Sequence, residues 1–457
     1  MNRLSDFHST KQVKIHGDAL ITLAAAEISG NSRGMPTPLR LAIAGCGSRG
    51  RTYAKLAAHF RDRYTIVAAA DPNPKSLTVV VDAAGVSARC ATFTSVDALL
   101  DARPDADVLV LATQDDMHFA PAMRALELGY DLLLEKPAAC TLEETATLRA
   151  AAKSLDRKIV LCFVLRYTPF YRAAKDFIQS GRLGDVVSIQ AIEGVEPYHQ
   201  AHSFVRGHWS RSQDSSPMIL AKSSHDMDIL HWLAGSPVRA VSSFGRTGYF
   251  HAGNAPGGAT ARCTDNCPHA GTCFYDSHRY LTDKRGWLGM VLPDAATMDD
   301  ASILDFLRTS PWGRCVWKCD NDVVDHQVVA LDFTNGITAT FTMTAFESGR
   351  ELAIFGTRGV LRGGATGKRA GTPELWFRDH TGTTIEEIVL PEATEAGYAG
   401  HGGGDYGIMD SLDHIIAGEL GADPLFDSTA ESHFTAFAAE LSRRDDGRRI
   451  LLADLRE

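Results

Sequence analysis

The sequence predicts an α/β protein: a doubly wound parallel sheet of the Rossmann type, then a second α/β domain on an open, mainly antiparallel sheet. Three observations carry this. Between residues 39 and 166 short apolar runs alternate with helix-compatible stretches, the pattern of a parallel sheet with crossover helices. The first run enters a glycine-rich turn, Gly45-x-Gly47-x-x-Gly50. Beyond Gly184 strand-like segments follow one another without long helices between most of them.

The bulk properties agree. A chain of 457 residues suits two or three domains. At 44% hydrophobic and 22% charged it can bury a sizeable core. A net charge of -10 argues against a broad nucleic-acid footprint, and no apolar run approaches a membrane span. Residues 1–37 read as an N-terminal extension: Asp6, His8, Lys11, Lys14 and Asp18 precede the apolar run ALITLAAA, unlike a signal peptide. A cytoplasmic protein is expected, with an NAD-binding domain over 38–167. A substrate and oligomerisation domain follows over 168–457, with a Cys-rich insertion at about 250–320.

Taken in order, LRLAIAGCGSRGRTYA is a strand, a turn and a helix start. Gly45 permits the tight turn, Gly47 lets backbone approach a pyrophosphate, and Gly50 lets helix and strand pack closely. Ser48 and Arg49 sit at the helix N-terminus, where phosphate is favoured. The next run, YTIVAAADP, ends in Asp71, at the spacing of an acid that hydrogen-bonds ribose hydroxyls. A carboxylate there repels a 2′-phosphate, so NAD is favoured over NADP; Arg49 and Lys75 keep NADP as the alternative. ADVLVLATQ is a strand, MHFAPAMRALELG a helix, YDLLLEKP a strand, TLEETATLRAAAKS a helix with Thr141 and Glu144 as a capping box, and KIVLCFVLRY a further strand. Ligands bind beyond the carboxyl ends of such strands, where Thr113, Gln114, Glu135, Lys136 and Arg166 fall.

GCGSRG, ATQDDMH, LLLEKP and LRYTPFY together resemble the Gfo/Idh/MocA family, the glucose–fructose oxidoreductase and inositol dehydrogenase group. ATQDDMH, with His118, matches the family's ATPNxxH, and Glu135-Lys136-Pro137 its EKP. The resemblance implies NAD(P)-linked hydride transfer on sugars or related polyols, with Lys136 near the reacting carbon.

In the second half VVSIQAIEGV, VRAVSSFGR, HQVVALDF, ITATFTMTAF, ELAIFG and ELWFRD read as strands, with Thr334-Asn335-Gly336-Ile337 as a hairpin turn. AKSSHDMDILHWLAG reads as a helix ended by Gly235. From the residues alone His225 is a satisfied structural histidine or a functional one. The resemblance makes it the histidine that opens this helix in the family's active site. The family usually carries Asp four residues earlier; here that position is Ala221, with Lys222 and Asp226 nearby. We therefore expect His225 as the base, Lys136 to hold the reacting hydroxyl, and Lys222 as a substitute candidate. Tyr198, His199, His202, Arg206 and Trp209 suit a sugar site or an ordinary polar loop. His401 and Asp405, in a glycine loop before a helix, either face substrate or make a tight interdomain turn.

Three functions are open at this point. One is an NAD-dependent dehydrogenase of a pyranose sugar or glycoside. The second is a redox-neutral NAD-dependent glycosidase working by oxidation, elimination, hydration and reduction, since AHSFVRG, CDNDVVDHQ and the cysteine cluster are similar to a branch that includes sulfoquinovosidases. The third is a non-catalytic NAD-binding sensor. An open sheet face in the second domain predicts a homo-oligomer. Finally, Cys263, Cys267 and Cys273 lie close in sequence, with Cys315 and Cys319 further on. In a reducing compartment that grouping predicts structural zinc, with Cys315 or Cys319 as fourth ligand.

Overall fold

Six short strands carry the N-terminal half of the computed structural model, which describes residues 38–83, 85, 90–292, 294–366, 373–391 and 400–456. They are β1 Leu39–Ala44, β2 Tyr64–Ala70, β3 Ala91–Phe93, β4 Val108–Leu111, β5 Asp131–Leu134 and β6 Ile159–Leu161. Their spatial order is β3-β2-β1-β4-β5-β6, all parallel. Strands buried on both faces are apolar throughout, which is why β4 reads VLVL. The order reverses direction between β1 and β4, and the crevice beyond their carboxyl ends is the topological switch point where ligands bind.

Nine strands form the second sheet: β7 Val186–Val195, β8 Val238–Arg246, β9 His326–Phe333, β10 Thr338–Thr344, β11 Ser348–Gly356, β12 Gly359–Thr366, β13 Glu374–Asp379, β14 Ile385–Glu387 and β15 Ile450–Leu451. Their order is β14-β13-β12-β11-β7-β10-β9-β8-β15. All neighbours are antiparallel except β7 and β10. Strands β9 and β10 alternate buried and exposed residues, so one face packs inward. The expected hairpin joins them: Gly336 takes φ +89°, and Asn335 Oδ1 accepts from Ile337 N at 3.2 Å. On the outward face Val187, Phe244, Val328, Trp376 and Ile385 remain exposed.

Some sequence expectations change. Strand β12 has three glycines and escaped the pattern reading. KIVLCFVLRY is a strand only to Leu161; a 3₁₀ turn, Val164–Tyr167, follows and points Arg166 away from the strand end. The helix expected over 221–235 is broken at Lys222, giving Met218–Ala221 and Ser224–Ala234, the second capped by Gly235 in the left-handed region. A cut at 167/168 separates the two sheets but not their cores. Ile408, Met409, Leu412 and Ile415 of helix Gly404–Ala417 pack in one cluster with Leu41, Ile43 and Val110 of the first sheet. Residues 1–37, read as an extension, lie outside the described residues. Among the described residues no helix is long and apolar enough to cross a membrane.

Candidate functional site

The glycine turn has the geometry its sequence requires. Gly45 takes φ +90°, and a Cβ there would meet Ala112 O at 2.4 Å. A Cβ on Gly50 would meet Gly45 O at 2.0 Å, so the helix start packs on the turn itself. Gly47 has nothing within 4 Å, which leaves an open cradle over the N-terminus of helix Ser48–His59. That helix has no side-chain cap and no acid in its first turn, so its free amides can receive a phosphate. At the end of β2 the Asp71 carboxylate is oriented by two amides, Cys46 N at 2.7 Å and Asn73 N at 2.8 Å. These residues fit a dinucleotide. The two cations weighed for a 2′-phosphate are both engaged elsewhere. Lys75 pairs with Asp294 at 2.9 Å, and Arg49 turns inward.

Arg49 ties three elements together. Its Nε donates to Glu135 Oε1 at 2.5 Å, and its Nη2 to Asp405 Oδ1 at 2.7 Å and to Tyr53 Oη at 2.6 Å. Tyr53 in turn donates to Glu135 Oε1 at 2.6 Å. His401, half-exposed, holds Asp405 at 2.9 Å. Burial alone would push Glu135 and Asp405 up; the Arg49 charge and the Tyr53 hydrogen bond outweigh it at Glu135, and the hydrogen bonds of His401 and then Arg49 do so at Asp405, so both carboxylates are held low. His401 and Asp405 thus stand in this network beside the glycine turn. Asp405 is buried and serves Arg49, which leaves His401 as the member open to a ligand.

The Glu135-Lys136-Pro137 turn follows β5. Its Lys136–Pro137 peptide is cis. His118 Nδ1 donates to Pro137 O at 2.7 Å, and its Nε2 stands 3.2 Å from Thr113 O, so His118 braces this turn against the β4 loop. From the other side His433, on helix Glu431–Arg444, accepts from Ala138 N at 2.9 Å. Burial holds His433 at about 3, so it is a neutral acceptor. Lys136, fixed this way, donates from Nζ to Ala221 O at 2.6 Å. Burial lowers its pKa foremost; the carboxylates of Asp115 and Glu135 oppose the shift without cancelling it.

His225 opens helix Ser224–Ala234 four residues after that carbonyl. It is buried, its ring edge-on to Phe163 at 5.6 Å, and its Nδ1 has no partner among the described residues. Burial, followed by the charges of Lys136, Arg350, His401 and Lys222, holds it well below the usual imidazole range. A neutral imidazole with a free ring nitrogen beside a lysine is a proton acceptor in waiting. Lys222 is less available: its Nζ pairs with buried Glu193 at 3.0 Å. Arg350 binds Glu193 as well, and its Nε donates to Asp226 at 2.8 Å. Burial would raise Glu193, but Arg350 and Lys222 hold it ionised. Asp226, buried beside that charge, is pushed up.

Other expected site residues are placed elsewhere. Arg166 makes a buried bidentate pair with Asp228, at 2.7 and 2.6 Å, which anchors helix Ser224–Ala234. Tyr198, His202 and Arg206 are buried in the packing beside the insertion: Tyr198 and His202 pack on the rings of Tyr280 and Trp287, and Arg206 is held by backbone carbonyls. His202 Nδ1 lies 2.6 Å from Tyr280 Oη, and Arg206 Nε donates to Arg314 O at 2.7 Å. His199 lies against Trp287; burial, then the Lys222 charge, lowers it to about 3. Trp209 does reach the crevice, where its Nε1 donates to Asp115 Oδ2 at 2.9 Å, and Ser215 Oγ approaches the same oxygen at 3.3 Å.

Asp115, Glu193, Arg350 and His433 were missed by the sequence reading. Asp115 had a signal, because it is an acid at the carboxyl end of β4, two residues after Thr113. The others come from distant strands and a C-terminal helix and carry no local signature. Cys263, Cys267, Cys273 and Cys315 line one cavity and Cys319 does not. Among the described residues no three His, Cys, Asp or Glu side chains are disposed to hold a metal ion, so the zinc expected from spacing has no ligand set here.

With this geometry in hand, comparison with known proteins is decisive on family. Residues 39–163 match the oxidoreductase family with an NAD-binding Rossmann fold, and residues 171–362 match the GFO/IDH/MocA C-terminal domain. The chain belongs to the Gfo/Idh/MocA oxidoreductase family. It is 27% identical over 400 residues to the putative oxidoreductase YteT of Bacillus subtilis (strain 168), covering 83% of this chain and 89% of that one. It is 28% identical over 204 residues to an inositol 2-dehydrogenase of Leifsonia xyli, covering 44% of this chain and 56% of that one. In fold it is similar to scyllo-inositol dehydrogenase from Lactobacillus casei with bound NAD(H) and scyllo-inositol. The TM-score is 0.60 at 17% identity, over 91% of this chain and 99% of that one. As a member of this family the protein is an NAD-binding oxidoreductase.

Proposed function

We propose that this protein transfers a hydride between NAD and a secondary alcohol of a cyclic polyol, a pyranose sugar, a glycoside or an inositol. His225, buried, held neutral by burial and by the Lys136 charge, and with no partner at Nδ1 among the described residues, is the observation that carries this reading. When bound, NAD supplies the hydride acceptor. The amides after Gly47 would hold its pyrophosphate, and Asp71 its adenosine ribose. Thr113 and Gln114 stand at the end of β4, where the nicotinamide half would lie. His225 takes the hydroxyl proton. The Lys136 ammonium hydrogen-bonds the reacting oxygen and is aimed by Ala221 O. Trp209 offers an apolar face for a sugar ring, and Asp115 holds that indole in place. The engagement of Arg49 and Lys75 by carboxylates supports NAD over NADP.

We read residues 38–167 as the cofactor domain and the chain from 168 as the substrate domain. The exposed apolar row on the second sheet supports a homo-oligomer, which light scattering on the purified protein would test.

The test is incubation with NAD and a panel of inositols, pyranoses and aryl glycosides, neutral and anionic. Net NADH with a polyol or sugar, lost in His225→Ala and in Lys136→Ala while NAD still binds, is the expected result. Aglycone release without net NADH would replace this reading with a redox-neutral glycosidase. Tight NAD binding with neither product would make the protein a sensor.

A further inference from the structure

The insertion between β8 and β9 reaches the first sheet's helices at two points. Arg51, in the first turn of helix Ser48–His59, donates from Nη2 to Gly289 O at 3.3 Å. The same guanidinium donates from Nε to Gly47 O at 3.3 Å, so one side chain links the phosphate cradle to the insertion. Lys75, in the first turn of helix Pro74–Ala83, pairs through Nζ with Asp294 at 2.9 Å. Lys75 N is held by Asn73 Oδ1 at 3.0 Å, and Asn73 N by Asp71 Oδ1 at 2.8 Å. Gly289 and Asp294 thus touch the helix after β1 and the helix after β2. In a doubly wound fold a pyrophosphate sits at the first of these helix starts, and the adenosine ribose at the acid that ends the second strand. The insertion therefore meets the rim of the cofactor crevice on both sides of that position.

The insertion is built to hold these two points in place. Gly289 N donates to Gly286 O at 3.2 Å, Leu292 N to Leu288 O at 2.7 Å, and Met298 N to Asp294 O at 3.1 Å, so successive turns fix the backbone. Leu288 and Ala295 are buried in one apolar cluster with Tyr198, Tyr280 and Trp312. Arg285 Nε donates to Ala295 O at 3.1 Å and ties the cluster's two ends together. Tyr198 follows β7 of the second sheet, so the contacts on Arg51 and Lys75 are made by a body anchored on the substrate side.

Charge gives the second contact its meaning. The Lys75 and Asp294 side chains are 73% and 42% exposed, and such a pair adds little to stability. Its effect is on what Lys75 can do. A cation in the turn after the ribose acid is a partner for a 2′-phosphate. Asp294 takes up that cation and adds a carboxylate to the one Asp71 already presents. We propose that the insertion, at Gly289 and Asp294, is the outer wall of the adenosine half of the NAD site, and that Asp294 disfavours the 2′-phosphate of NADP by neutralising Lys75. This rests on NAD lying along Gly47 and Asp71, as read above.

Hydrogen exchange on the full wild-type chain, freed of nucleotide and then given NAD, tests the wall. Protection at residues 45–51 reports cofactor on the glycine turn. Protection at 286–292 together with it is the expected result. Protection at 45–51 alone, or faster exchange at 286–292, would overturn the wall. No protection at 45–51 would instead overturn the placement of NAD, and the wall with it. Asp294→Asn tests the selection. Titration with NAD and with NADP, followed by protein fluorescence, should show NADP bound more tightly by roughly 3–5-fold and NAD little changed, the scale of one exposed ion pair. That gain should fade in about 1 M salt, where the screening length is about 3 Å. An unchanged ratio of the two affinities in a folded Asp294→Asn protein would overturn the selection. The exchange measurement uses no variant, and neither readout depends on turnover.

Discussion

Lys136 Nζ donates to the backbone carbonyl of Ala221 at 2.6 Å, at the position where the family usually carries an aspartate. A carbonyl aims the lysine but does not neutralise it, so the lysine's pKa answers to burial and to more distant carboxylates. Placing the carboxylate back, Ala221→Asp, should favour the ammonium form. The high-pH limb of the turnover profile should then move to higher pH. A profile unchanged in a folded, NAD-binding variant would show that Lys136 does not set that limb.

Asp115 is the first opposing charge on Lys136 and the acceptor for Trp209 and Ser215. Asp115→Asn keeps the shape and removes the charge. The Lys136 pKa should fall further, so the high-pH limb should move down, the reverse of Ala221→Asp. Turnover at neutral pH should drop by roughly 10-fold or more, the scale of a misplaced acid–base group. Stopped-flow turnover across pH, with Trp209 fluorescence as a check on the clasp, measures both effects.

His225 is held neutral well below the ordinary imidazole range by burial and by neighbouring cations. A base already neutral loses nothing until pH falls through that lowered value. The low-pH limb should therefore lie clearly below the usual histidine titration, and turnover should persist into mildly acidic solution. Turnover that falls along an unperturbed imidazole curve would contradict the buried assignment.

Arg166 and Asp228 form a buried bidentate pair, with side chains 6% and 1% exposed. Removing one partner strands a buried charge, so Arg166→Ala should cost about 3–5 kcal/mol of stability. Its Kd for NAD, measured below the unfolding transition, should be unchanged. A large loss of NAD affinity with little change in Tm would return Arg166 to the cofactor site.

The glycine turn offers a matched pair of variants. Gly45→Ala puts a Cβ 2.4 Å from Ala112 O at φ +90° and should fold poorly. Gly47→Ala meets nothing within 4 Å, so stability should stay within about 0.5 kcal/mol while NAD binding weakens. Calorimetry and NAD titration on both proteins separate packing from ligand approach.

What could be read from sequence was local and periodic. Alternating apolar runs specify strands and helices within a few residues, and Gly45-x-Gly47-x-x-Gly50 with Asp71 needs only one β-α-β unit to make its meaning. The Asn335-Gly336 turn is legible for the same reason. Strand β12 was lost because three glycines erase its alternation. Arg166 was misplaced because a single 3₁₀ turn after Leu161 rotates a side chain that an ideal strand would have pointed at the cofactor.

The sequence by itself determined the two-sheet α/β class and the dinucleotide turn; Lys136 and His225 stood out through the family resemblance that the motifs carry. Only the tertiary structure decided who their neighbours are. Asp115, Glu193, Arg350 and His433 reach the crevice from a β4 loop, β7, β11 and a C-terminal helix. Burial at their meeting point, which sets the charge on each group, is a property of the whole packed chain. The cysteines make the same point. Spacing alone reads as zinc, whereas the cavity they line follows from how two distant segments pack. Contacts between residues far apart in sequence depend on the folded topology, and no local pattern encodes them.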